Sequence, residues 1–217
     1  MQIAAALSTP TRNLLLILHS IMNPNKNTTS SLPEGVVVYC ASSSAIDPVY
    51  LSTARTMGSL IAESGLTLVC GGGVGGMMAA AIEGAVEADG EAVGVLPRFM
   101  IEKSWDHPRL SRCIVTESMH ERKQTMVSMS RAAVALPGGI GTLDELAEIM
   151  TWRQLGLFSG AVIIVNTDGY YDRLIEMFDF MRSRNFMRGG VIPATVVSTP
   201  EEAIEIINNL HKRIPRH

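Results

Sequence analysis

Residues 137–145 read PGGIGTLDE: a proline, three glycines and a threonine run directly into two acids. The amides of Gly138, Gly139, Ile140 and Gly141, with the amino end of a following helix, would converge on one point and hold an anion such as a phosphate. Thr142 would add a hydroxyl. Glu145 would then lie about one turn from that anion, a carboxylate placed for acid–base work or for stabilising a developing positive charge. A plainer reading makes Thr142 the N-cap and Glu145 the third helical residue of a Thr-x-x-Glu capping box. Charge separates the two readings, because a glutamine would cap nearly as well.

A second stretch, TESMHERKQTM over residues 116–126, combines Ser118 and Glu121 in another capping box with Arg122 and Lys123 in the first turns of the helix. Two cations there oppose the helix macrodipole, at about 0.3–1 kcal/mol each. Either they snorkel into solvent, or they serve a site that repays the local cost. A third stretch, CGGGVGGMM over residues 70–78, matches G-x-G-x-x-G through Gly71, Gly73 and Gly76. A dinucleotide fold would want an acid at the end of the next strand, which here ends VGVLPRF. Two readings remain: a backbone turn at Gly73 that approaches a nucleotide or ribose, and packing of helix on strand.

The elements that must position these stretches alternate. GVVVYCA, LTLVCGGG, EAVGVLP, RCIVTE, AAVALPGG, GAVIIVNT and ATVVST read as strands, separated by helical patterns. A helix opened by Asp47 with Pro48 at its first position follows the first strand. The other helices are GGMMAAAIEGAVEADG, SMHERKQTMVSMSRA, TLDELAEIMTWRQLG, DGYYDRLIEMFDFMRSRNF and PEEAIEIINNLHKRI. Strands that are continuous apolar runs belong to a parallel sheet covered on both faces. The predicted fold class is therefore α/β, a doubly wound, Rossmann-like parallel sheet with helices on both faces. Both glycine clusters fall at carboxyl ends of strands, where such folds bind ligands.

With 217 residues, the chain is expected to form a single domain over residues 35–217, preceded by a peripheral extension and linker over residues 1–34. The apolar run RNLLLILHSIM in that extension is far short of the ~20 residues that cross a bilayer. A signal peptide is disfavoured because no small-x-small cleavage site follows. A formal net charge of -3 argues against nucleic acid as a bulk partner, and no membrane partner is expected. Cys40, Cys70 and Cys113 form no CxxC pair and read as structural thiols in a reducing, cytoplasmic setting. The five histidines form no metal-ligand cluster.

MHERK and PGGIGTLDE together resemble the LONELY GUY (LOG) family, cytokinin riboside 5'-monophosphate phosphoribohydrolases often labelled lysine decarboxylase-like. GGGVGGMM, TWRQLG and NTDGYYD occur in family order, so the resemblance runs from about Gly35 to the last helix. It implies hydrolysis of the N-glycosidic bond of an N6-modified adenosine 5'-monophosphate to free base and ribose 5-phosphate, with no cofactor. It further implies Glu145 as catalytic carboxylate with Arg122 as its partner. Lys123, the loop Gly138, Gly139, Ile140, Gly141 and Thr142, Thr151 and Gly73 would bind substrate and phosphate. Family members are dimers with sites near the interface, so a homodimer is expected. A decarboxylase would need a Schiff-base lysine and a pyridinium partner, and Lys123 sits beside an arginine with no acid evident for the ring. The sequence departs from the family pattern at Ala41, Ala45, Ser104, Phe158, Gly160 and Ala161, changes that leave Arg122 and Glu145 intact and bear on base recognition and dimer contacts. Alternatives are a nucleosidase for another nucleoside monophosphate and a non-catalytic nucleotide carrier or sensor of the same fold.

Overall fold

The computed structural model describes residues 34–210. All but the last residue of the expected N-terminal extension lies outside them. Seven parallel strands form one sheet: β1 (Gly35–Tyr39), β2 (Thr67–Cys70), β3 (Ala92–Pro97), β4 (Arg112–Thr116), β5 (Ser130–Ala135), β6 (Ala161–Val165) and β7 (Thr195–Val197), in the order β4-β3-β2-β1-β5-β6-β7. The chain therefore winds outward from β1 in one direction, returns, and winds outward from β5 in the other. The crevice between β1 and β5 is the topological switch point, the place where open α/β sheets bind ligands.

Among the described residues, seven α-helices cover the sheet: α1 (Pro48–Glu63), α2 (Gly76–Glu87), α3 (Arg98–Glu102), α4 (Met119–Ser128), α5 (Ile140–Gln154), α6 (Asp172–Ser183) and α7 (Pro200–Asn208). Alternate residues of β1 feed opposite cores. Val36 and Val38 pack with Met57, Ile61, Met77 and Ile207 from α1, α2 and α7. Val37 and Tyr39 pack with Met126, Leu146 and Ile149 from α4 and α5. Burial on both faces is why the central strands are mostly apolar rather than alternating, although β5 opens on the buried polar residues Ser130 and Arg131. The edge strands β4 and β7 are largely exposed.

Local signals act as expected at two helix starts: Asp47 Oδ1 accepts from the Val49 amide at 3.1 Å and Ser118 Oγ from the Glu121 amide at 3.1 Å. At the last helix the structure adds a cap, Thr199 Oγ1 accepting from the Glu202 amide at 3.3 Å. Two starts differ. α5 begins at Ile140 with Gly139 as N-cap, so Thr142 is the third helical residue and no Thr142–Glu145 capping box forms. The helix expected from Asp168 instead begins at Asp172, because Asp168 and Gly169 take φ values of 52° and 69° and turn the chain first. Among the described residues, no helix is long and apolar enough to cross a membrane.

Candidate active site

Strands β1, β2, β3 and β5 deliver their carboxyl-terminal loops to one cavity of about 660 Å³, a size suited to a small organic ligand. Its polar end is formed by Arg122, Glu145, Thr142 and the backbone of Gly139–Gly141. Gly73, Val74 and Gly75 line it from the second glycine cluster, and Met78, Leu96, Met100, Trp105 and Met119 make its apolar part. The snorkelling alternative for Arg122 is thereby excluded. Its side chain is only 8% exposed, Nε donates to the Val95 carbonyl at 2.9 Å, and Nη1 lies 3.3 Å from Glu145 Oε1. The cation that seemed misplaced on α4 is paired across to α5.

Glu145 sits in the second turn of α5, with a side chain 13% exposed. Helical side chains lean toward the amino end, so the carboxylate is carried back toward the glycine loop. Burial pushes its carboxyl up from 4.5 to about 7, against the opposing pull of the Arg122 guanidinium. A carboxyl that changes charge near neutral pH beside a fixed cation, in a cleft, is a functional-site signature.

The loop in front of it is open to an anion. Gly139 caps α5 with no side-chain hydrogen bond, and the first turn of α5 carries no acid. The leading amides of a helix have no intrahelical acceptor, which leaves them for a ligand. Thr142 is buried, packed where a side chain on Gly138 would have to stand. Gly138 itself lies behind this lining, and its carbonyl accepts from the Tyr170 hydroxyl.

The second glycine cluster acts through space as well as conformation. A Cβ on Gly71 would collide with the Arg122 guanidinium, and Gly76 has a φ of 58° where a Cβ would strike the Ser43 carbonyl. Packing therefore explains Gly71 and Gly76, while Gly73 faces the cavity.

Besides Gly138, two further predicted binding residues, Lys123 and Thr151, stand apart from this cavity. Lys123 bridges to α5, 3.0 Å from Asp144 Oδ2 and 3.3 Å from Glu148 Oε2. Thr151 is exposed farther along α5, its hydroxyl donating to the Ala147 carbonyl. Cys40 is buried as expected but also lines the cavity. Burial pushes its thiol and that of Cys70 up, Cys70 to about 11, so neither supplies a thiolate near neutral pH. Sequence reasoning missed Trp105. The segment carrying Trp105 is tied to the glycine loop by a Val74 N–H bond to the Trp105 carbonyl and a His107 N–H bond to the Gly72 carbonyl. No sequence spacing announces that pairing. Met119, at the start of α4, also lines the cavity. No group of three or more metal-ligating side chains occurs among the described residues.

A family model described as "Possible lysine decarboxylase" matches residues 78–207. Cytokinin riboside 5'-monophosphate phosphoribohydrolase LOG of Oryza sativa subsp. japonica is 31% identical over 182 residues, 84% of this chain and 74% of that protein. The probable phosphoribohydrolase LOG4 of the same species is 36% identical over 144 residues, where the match spans 63% of the relative's length. LOG7 of Arabidopsis thaliana is 32% identical over 187 residues, 86% of this chain and 85% of the relative. Among solved structures, the molybdenum cofactor binding protein of Rippkaea orientalis has a TM-score of 0.62 at 27% identity, covering 82% of this chain and 95% of that one. The molybdenum cofactor carrier protein of Chlamydomonas reinhardtii has a TM-score of 0.64 at 25% identity, covering 82% and 98%.

Proposed function

Because this chain belongs to the LOG family, the group whose model carries the lysine decarboxylase description, we propose that it is a nucleoside 5'-monophosphate phosphoribohydrolase. The substrate is an adenosine 5'-monophosphate, with or without an N6 substituent, and the products are free base and ribose 5-phosphate. The observation that carries this reading is the buried Arg122–Glu145 pair one step behind the uncapped start of α5, in one cavity. The helix rise from Gly139 to Glu145 is ~9 Å, which leaves space for a sugar between a phosphate at the loop and the carboxylate.

The chemistry follows from that spacing. Cleaving the ribosyl C–N bond develops oxocarbenium-like charge on the sugar, as in glycoside hydrolysis. Ionised Glu145 stabilises that charge and takes a proton from the attacking water, help worth roughly 10²–10⁴ in rate. The water hydroxyl ends on the anomeric carbon, and the proton that Glu145 takes from the water passes to the departing base, which regenerates the carboxylate. Arg122 holds the carboxylate in place and favours its charged form. The phosphate cradle converts binding energy into position of the sugar. The apolar lining of Met78, Leu96, Met100, Trp105 and Met119 receives the base.

Lys123 supports a different role from the phosphate ligand that the resemblance implied: it is a strut between α4 and α5. Thr151 enters the reading only through a homodimer with sites near the interface. Exposed Leu155, Leu157, Phe180, Phe186 and Val191 support such an assembly. A cytoplasmic location fits the three free cysteines.

Incubating the protein with AMP and, separately, N6-isopentenyl-AMP, and following free base by chromatography, tests the reading. Glu145→Gln is the control that keeps the volume and removes the charge. Base release that disappears in the folded variant is the expected result. The likeness to molybdenum cofactor carriers motivates one competing reading, a carrier without turnover. Tight nucleotide binding with no base released by the wild type would replace the hydrolase with that carrier.

A further inference from the structure

The stretch NTDGYYD, residues 166–172, has no part in the chemistry above, yet it is built against the anion loop. Asn166 organises the turn: its Oδ1 accepts from the Tyr171 amide at 2.7 Å and its Nδ2 donates to Asp172 Oδ1 at 2.7 Å. The positive φ values of Asp168 and Gly169 reverse the chain. Both tyrosines then reach the loop that precedes α5. The Tyr171 hydroxyl donates to the Leu136 carbonyl at 2.7 Å and the Tyr170 hydroxyl to the Gly138 carbonyl at 2.8 Å. The carbonyl between them, on Pro137, accepts from the Ala41 amide at 3.1 Å.

A trans peptide points its N–H opposite to its C=O, and the described residues contain no cis bond. With the Gly138 carbonyl held by Tyr170, which is outside the cavity lining, the Gly139 N–H is turned the other way. Gly139, Ile140 and Gly141, which follow that peptide, line the cavity, whereas Gly138 and Tyr170 do not. Two adjacent glycines offer no Cβ to resist rotation of the peptide between them, so an external bond has to set it.

We propose that Tyr170 is a positioning residue, whose hydroxyl locks the Gly138–Gly139 peptide so that the Gly139 amide faces the substrate phosphate. The identity of that phosphate rests on the phosphoribohydrolase reading. Tyr171 supplies an internal contrast. The peptide it holds, Leu136–Pro137, has no N–H to present. Buried Tyr171 therefore serves stability, and half-exposed Tyr170 serves binding.

The test is Tyr170→Phe, which keeps the ring in its edge-on contacts with Tyr50 and Tyr171, at centroid distances of 5.7 and 5.0 Å. Affinity for ribose 5-phosphate and for AMP is measured by calorimetry, and KM and kcat are compared for AMP and adenosine. The expected result is about fivefold weaker binding of both phosphorylated ligands, carried in KM rather than kcat, with adenosine unchanged. Tyr171→Phe is expected to lower the melting temperature with phosphate affinity intact. Unchanged phosphate affinity in Tyr170→Phe, or equal weakening of AMP and adenosine, overturns the proposal. A wild type that binds AMP but releases no base sinks the hydrolase alone, because the calorimetric comparison still reads the lock. A wild type that binds neither ribose 5-phosphate nor AMP overturns both.

Discussion

Gly71, at the end of β2, leaves the space that the guanidinium of Arg122 occupies: any Cβ there would meet Nη2. This contact joins two stretches that are far apart in sequence. It makes the glycine loop a wall of the Arg122–Glu145 pair rather than a dinucleotide fingerprint.

Gly71→Ala is accordingly expected to displace Arg122 from Glu145 without unfolding the sheet. Base release should fall by about 10²-fold, the scale of losing one preorganised electrostatic contact. Far-ultraviolet circular dichroism should be unchanged. Activity within about twofold of wild type would show that Arg122 can be repositioned freely, and the pair would lose its assigned geometry.

The pH dependence of kcat/KM should report Glu145. Its carboxyl is pushed up to about 7 by burial, so the ionised base is lost as pH falls below that value. The acid limb of the profile is expected near pH 7, well above an ordinary carboxyl. Removing Arg122 (Arg122→Gln) should move the limb to still higher pH, since the guanidinium lowers the Glu145 pKa. A limb near pH 4.5 in the wild type would contradict a buried catalytic carboxyl.

The same group ties stability to pH, with a definite sign. A carboxyl whose folded pKa is raised from 4.5 to about 7 holds its proton more tightly when folded. Its contribution favours the folded state below pH 4.5 and is lost as pH rises toward 7, by up to about 3 kcal/mol. Glu145→Gln lacks this loss. Denaturant titrations at pH 5 and pH 8 should therefore show the variant gaining on the wild type at the higher pH. An identical gap at both values would mean that Glu145 ionises without cost.

Lys123→Met probes the strut between α4 and α5. Removing a half-shielded ion pair with Asp144 and Glu148 should cost about 1 kcal/mol of stability. KM for AMP should stay within about threefold. A KM raised tenfold or more would return Lys123 to the phosphate.

How much of this was legible beforehand can be judged from particular residues. The apolar runs of β1, β2, β3, β5 and β6 are readable because a strand buried on both faces is apolar at most of its positions. The caps at Asp47 and Ser118 are readable because each acts within three residues of itself. Glu145 and the loop before it were visible as a carboxylate beside an anion nest, since one helix start holds both.

What the chain alone could not disclose is which distant groups meet. The start of α5 moved to Ile140 because Gly139 caps it and Thr142 fills the space beside Gly138, a choice made by packing. The anomalous charge of Arg122 marked a function only once α4 and α5 were side by side, with the Val95 carbonyl and Glu145 within reach. Lys123, its neighbour in sequence, was carried to a different set of partners by the helical turn between them. Trp105 reached the cavity through backbone pairing with the glycine loop. Composition and short-range pattern determine the sheet, the helices and the chemistry-bearing loops, because those forces act over a few residues. The site itself belongs to the tertiary structure, because its decisive contacts join strand ends that only the order of the sheet brings together.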